Sequence, residues 1–128
     1  MSLREKIRIL VVDDMSTSRS VITQSLYSLG IRHVFTAGDG EDGLNSAIAQ
    51  PVHLVISDYN MPNMDGLKLL YNLRSREKTK NIGFILVTGR AEQQIIDYGR
   101  RLGMNNYLKK PFDTMQLRSC LEKVVGPI

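Results

Sequence analysis

Four apolar runs in this chain are each closed by polar side chains, and that arrangement leaves few folds open. Ile7-Arg8-Ile9-Leu10-Val11-Val12 runs into Asp13-Asp14, and Leu54-Val55-Ile56 runs through Ser57 into Asp58. Phe84-Ile85-Leu86-Val87 is closed by Thr88, and Tyr107-Leu108 by Lys109 and Lys110. Short, continuously apolar runs rich in β-branched residues read as parallel strands buried on both faces. In an open parallel sheet the carboxyl ends of the strands face one crevice, where ligands bind. The spacing therefore predicts that three carboxylates, a hydroxyl and an ammonium meet in space, although 22 to 45 positions separate one strand end from the next.

Helical patterns alternate with these runs, which predicts an α/β, doubly wound five-stranded parallel sheet with helices on both faces. Ser16 is placed to cap a first helix ending near Leu29, with Ile22, Leu26 and Leu29 on one face and Gly30 as its stop. A strand over about Arg32 to Thr36 leads to a helix over about Glu41 to Ala49, and Pro51 ends the connection. After Asp58, the loop Tyr59-Asn60-Met61-Pro62-Asn63-Met64-Asp65-Gly66 opens a helix carrying Leu67, Leu70 and Leu73. A fourth helix is expected over about Glu92 to Leu102, a fifth strand over Asn106 to Lys109, and a last helix over about Thr114 to Val125. Asp113 or Thr114 caps that last helix. No linker, repeat or low-complexity stretch interrupts the pattern, so residues 1–128 read as one domain with no attached output domain.

Composition narrows the function classes. At 42% hydrophobic and 23% charged the chain is ordinary for a globular protein, and no stretch approaches the roughly 20 apolar residues of a membrane span. Met1-Ser2-Leu3-Arg4-Glu5-Lys6 lacks the apolar region of a signal peptide. A single cysteine, Cys120, cannot form an internal disulfide and suits a reducing compartment, so a cytoplasmic location is expected. Residues 1–64 carry five Lys/Arg against seven Asp/Glu, and residues 65–128 twelve against six. The basic half has no helix-turn-helix, zinc-finger or aromatic-interleaved pattern, so nucleic acid is not an expected partner. His33 and His53 fall near strand starts, away from the crevice, and are not expected to be ligands.

The converging residues suit one reaction. Asp13, Asp14 and Asp58 would repel one another without a cation, and a hard divalent ion such as Mg²⁺ takes oxygen ligands of this kind. Asp58, between a buried strand and the Asn60-Met61-Pro62 loop, is the candidate nucleophile, since a carboxylate can accept a phosphoryl group. The Asn60 carbonyl is placed to be a further metal ligand. Thr88 and Lys110 stand where phosphoryl oxygens would appear, one as a hydrogen-bond donor and the other as a charged donor. Lys110 precedes Pro111, and X-Pro bonds can be cis.

Val11-Val12-Asp13-Asp14, Ser57-Asp58-Tyr59-Asn60-Met61-Pro62-Asn63-Met64-Asp65-Gly66, Val87-Thr88-Gly89 and Lys109-Lys110-Pro111-Phe112 together resemble the response-regulator receiver domains, above all the single-domain chemotaxis regulators. The resemblance implies a flavodoxin-like fold with strand order 2-1-3-4-5 and phosphorylation of Asp58 by a chemotaxis-type histidine kinase. It implies Mg²⁺ held by Asp13 (partly through water), Asp14, Asp58 and the Asn60 carbonyl, with Thr88 and Lys110 on the phosphoryl group. It gives Tyr107 a switching role with Thr88, coupling Asp58 to the surface of the fourth predicted helix, fifth strand and last helix. Partners expected by the same likeness are the flagellar motor switch protein and a phosphatase, with the chain a monomer that catalyses only its own phosphorylation and dephosphorylation. Two departures set this chain apart. Gly89 replaces a frequent alanine, and Arg90 stands where the best-known motor regulator has an acid. Arg90 and Asn60 are therefore expected to set the hydrolysis rate, which does not transfer from the family.

Other functions stay open at this point. A phosphate sink would compete for phosphoryl groups without docking to a motor. An aspartyl-phosphate hydrolase of the haloacid-dehalogenase type shares the residue types, but its nucleophile sits in an Asp-x-Asp at strand one, where this chain has adjacent aspartates. A flavin carrier would place Ser16-Thr17-Ser18 on a phosphate that Asp13-Asp14 repels.

Overall fold

The apolar runs form strands in the computed structural model, which describes residues 2–90 and 92–128. The strands are β1 (Arg8–Val12), β2 (His33–Ala37), β3 (Leu54–Asp58), β4 (Gly83–Thr88) and β5 (Asn106–Lys109). All pair in parallel, in the order β2-β1-β3-β4-β5. The helices among the described residues are α1 (Leu3–Lys6), α2 (Ser16–Ser28), α3 (Gly40–Ala49), α4 (Gly66–Arg74), α5 (Gln93–Arg101) and α6 (Thr114–Val125). Because α1 is an addition, the surface expected from the fourth and last predicted helices is here α5-β5-α6. No helix among the described residues is long and apolar enough to cross a membrane.

Successive strand side chains point to opposite faces, so each buried strand feeds two apolar layers. Ile9 and Val11 of β1 join Ile56, Ile85 and Val87, packed under Ile22 and Leu26 of α2 and Leu117 and Leu121 of α6. Leu10 and Val12 join Val55, Phe84 and Leu86 under Leu44 of α3, Leu70 and Leu73 of α4, and Ile96 of α5. At about 1.5–3 kcal/mol for each such side chain fully buried, these two layers dominate the stability of the sheet. The chain leaves β1 toward β2 on one side and returns to β3 on the other. That reversal opens a crevice beyond the strand ends, between β1 and β3.

Two features differ from the sequence expectation. Ser16 is the first residue of α2, and the cap position falls to Met15, whose N–H is taken by the Asp13 carboxylate. The unexpected α1 is opened by Ser2, whose hydroxyl and backbone nitrogen both donate to Glu5 Oε1. Ser2-Leu3-Arg4-Glu5 carries the spacing of a capping box. Asp113, one of the two residues expected to cap α6, does so by accepting from the Gln116 N–H. At the opposite end of the sheet from the crevice, the half-buried Arg74 donates to the carbonyls of Lys80, Ile82 and Gly103 and to Asn105 Oδ1. Burial pushes its pKa down, and its fork ties the segment before β4 to the segment before β5.

Candidate functional site

Asp13 follows β1, and its side chain is fully buried. Its Oδ1 accepts from the Met15 N–H at 3.0 Å, and its backbone carbonyl accepts from Arg19 Nη1 at 2.6 Å. Its Oδ2 is buried with no hydrogen-bond partner. Asp14 is exposed beside it, and Asp58 ends β3 buried, at 7% exposure. One carboxylate oxygen from each of the three lies within 4.8 Å of the others. Burial pushes the Asp58 carboxyl above its ordinary value, and Asp13 adds to that; the Lys110 ammonium opposes it.

Lys110 Nζ lies 3.2 Å from Asp58 Oδ1 and 3.8 Å from Asp13 Oδ2, and donates to Ser18 Oγ at 3.0 Å. The Lys110–Pro111 peptide is cis. Gly66, at the start of α4, donates its N–H to the Tyr59 carbonyl, and a Cβ there would sit 2.5 Å from the Asp58 carbonyl oxygen. Only glycine lets α4 begin this close to the end of β3.

Thr88 ends β4, and its hydroxyl is engaged in its own loop. It accepts from the Arg90 N–H at 2.9 Å and donates to the Arg90 carbonyl at 3.2 Å. The Arg90 guanidinium grips Glu92 Oε1 at 3.1 and 2.8 Å. Asn60 is exposed in the loop after β3, two residues beyond Asp58. Tyr107 is half-buried on β5, where Leu86 is its register partner and Lys109 that of Thr88. Thr88 and Tyr107 thus belong to the same face of the sheet as diagonal neighbours, with Tyr107 packed on the layer under α3, α4 and α5. His53 Nδ1 accepts from the Arg8 N–H, and His33 is exposed on β2.

The donor set suits a hard divalent cation. Three carboxylates converge near one ammonium, and a buried carboxylate oxygen has no protein donor, so oxygen ligands are available in the number Mg²⁺ uses. The sequence pattern led to Asp13, Asp14, Asp58, Thr88 and Lys110, and the sheet brings their strand ends together. It did not lead to Ser18 or Arg19. Both lie on α2 one turn before Ile22, on the face the helix turns inward, where Ser18 meets Lys110 and Arg19 meets the Asp13 carbonyl.

The profile of the response regulator receiver domain matches residues 9–122. The chain belongs to that family. Over 128 residues this receiver domain is 41% identical to the probable chemotaxis protein CheY of Rhizobium etli, covering 100% of this chain and 99% of the relative. The crystal structure of chemotaxis protein CheY4 of Vibrio cholerae superposes with a TM-score of 0.87 at 28% identity, over 93% of this chain and 98% of that one. The receiver domain of sensor histidine kinase PA1611 of Pseudomonas aeruginosa superposes at 0.84 with 32% identity, over 94% and 98% of the two chains. That structure carries a magnesium ion coordinated in its active-site cleft.

Proposed function

We propose that this receiver domain is a two-component phospho-switch in which Asp58 takes a phosphoryl group from a chemotaxis-type histidine kinase. The observation that carries the reading is the buried Asp58 carboxylate held 3.2 Å from Lys110 Nζ, beside Asp13 and Asp14, in a chain of the receiver family. Asp14, Asp58, the Asn60 carbonyl and Asp13, partly through water, would hold Mg²⁺. When bound, it supplies neutralisation of charge between the carboxylate and the incoming phosphoryl group. An Asp58 carboxylate oxygen forms the new O–P bond as the donor's N–P bond breaks. Lys110 orients that carboxylate through Oδ1 and then offers a charge-assisted hydrogen bond to the phosphoryl oxygens. The Thr88 hydroxyl leaves Arg90 to donate to another phosphoryl oxygen, and Tyr107 moves with it. Phosphorylation shifts the protein only by its differential contacts in the two states, and those new bonds supply the difference.

Output then runs through α5-β5-α6 to a partner, with the flagellar motor switch protein as the favoured target and a phosphatase ending the signal. In this reading the domain works in the cytoplasm, as a monomer, and its chemistry is confined to its own phosphorylation and dephosphorylation. Binding of a motor switch protein, measured with and without acetyl phosphate and Mg²⁺, tests it. Tighter binding after phosphorylation, altered by Tyr107→Ala while labelling persists, is expected. Labelling without any gain in binding would leave the phosphate sink as the better account.

A further inference from the structure

Lys110 is the cation of the site, and three oxygens surround its ammonium: Asp58 Oδ1 at 3.2 Å, Ser18 Oγ at 3.0 Å and Asp13 Oδ2 at 3.8 Å. The shortest contact is to the neutral hydroxyl. At 3.8 Å the Asp13 contact is too long for a hydrogen bond, and Asp13 Oδ2 is left buried with no donor at all. A buried carboxylate oxygen beside a lysine ammonium would ordinarily capture it, since charge-assisted bonds are the stronger ones. The lysine stem is flexible and could swing that way. Its contact with the hydroxyl is on α2. Ser18 is 92 residues away in sequence, on the helix that packs beside Pro111 and Phe112.

We propose that Ser18 is a positioning residue for metal binding: by holding the Lys110 ammonium toward α2, it keeps Asp13 Oδ2 without a lysine hydrogen bond and open to a divalent cation. Lysine and metal compete for the same carboxylates. A Lys110 seated between Asp13 and Asp58 places a positive charge where the cation belongs. Tethered to Ser18, it stays within hydrogen-bond distance of Asp58 and, at 3.8 Å, beyond hydrogen-bond distance of Asp13 Oδ2. The inference rests on the acidic site being the cation site of the proposed function. It adds a residue that contacts neither metal nor phosphoryl group and acts only through Lys110.

The test is a double-mutant cycle read by Mg²⁺ binding alone, by calorimetry on the full chain without phosphodonor, with circular dichroism confirming the fold. Ser18→Ala is expected to weaken Mg²⁺ about three- to tenfold, at or below the usual 10–100-fold effect of outer-shell partners because it acts through a mobile side chain. Ser18→Thr, which retains the hydroxyl, should restore affinity. In a Lys110→Met background, Ser18→Ala should have no effect, since no ammonium remains to be held away. Unchanged affinity in Ser18→Ala, or an equal loss in the Lys110→Met background, would overturn this inference while leaving the site intact. Failure of the wild-type protein to bind Mg²⁺ would overturn the functional reading and this inference together.

Discussion

The Thr88 hydroxyl is bonded on both sides to Arg90, accepting from its N–H at 2.9 Å and donating to its carbonyl at 3.2 Å. The group assigned to the phosphoryl oxygen is therefore already committed, and the proposed switch would exchange these bonds for new ones. A hydrogen bond to a charged acceptor is worth about 1.5–3 kcal/mol net, against about 0.5–1.5 for a neutral one. Such an exchange would favour the phosphorylated arrangement. Thr88→Val should still be phosphorylated at Asp58 but lose most of the gain in partner affinity, about tenfold for each 1.4 kcal/mol. Partner dissociation constants with and without phosphodonor check this. An undiminished gain would show that the hydroxyl does not carry the switch.

Arg90 and Glu92 make the next pair to break. Their ion pair is exposed, at 75% and 52% of the side chains, so it is worth about 0–1 kcal/mol. Glu92→Gln should release Arg90 toward the crevice and slow dephosphorylation, whereas Arg90→Ala and Arg90→Glu should quicken it. Each change should be several-fold at most. Decay of labelled protein measures these rates, and high salt should shrink the differences if charge is the cause.

Gly66 fixes the approach of α4 to Asp58. Gly66→Ala would place its Cβ 2.5 Å from the Asp58 carbonyl oxygen and 2.7 Å from a Leu86 methyl. Backbone cannot yield as a flexible side chain can, so a loss of about 1–3 kcal/mol is expected from overpacking. Denaturant unfolding measures it, and labelling of Asp58 should fall with it.

Cys120 lies 6% exposed on α6, with Sγ at 3.5 Å from the Tyr107 carbonyl that accepts its hydrogen bond. Burial pushes its thiol up to about 11 from an ordinary 9.0. The native thiolate fraction near pH 8 should then be about a hundredfold below that of a free thiol, and alkylation correspondingly slow until the protein unfolds. The folded thiol holds its proton where the unfolded one releases it, so this group's contribution to stability is intact below pH 9 and falls as pH rises toward about 11. Native labelling as fast as denatured labelling would contradict the buried placement.

The strands were legible in the sequence because a parallel strand buried on both faces leaves an unbroken apolar run, and the polar residue that closes each run marks the crevice. Asp58 and Thr88 end their strands as expected, and Asp113 caps α6. Ser16 misled as a cap because the Asp13 carboxylate takes the neighbouring Met15 N–H, a contact that propensity alone does not reveal. Ser18 and Arg74 carried no signal, since Lys110 and Gly103 are brought to them only by the packed fold, and nothing in the spacing of Arg19 marks its bond to the Asp13 carbonyl. Arg90 showed the limit of position: its place beside Thr88 was readable, but its pairing with Glu92 was not.

The most direct measurement is intact-protein mass spectrometry after incubation with acetyl phosphate, with Mg²⁺ or with EDTA, on the wild type and on Asp58→Asn. Three converging carboxylates repel a phosphoryl dianion unless a cation shields them, so the wild type should gain one phosphoryl group with Mg²⁺ and essentially none in EDTA. Asp58→Asn should gain none in either. Labelling of Asp58→Asn at the wild-type rate, or full labelling of the wild type in EDTA, would contradict the account.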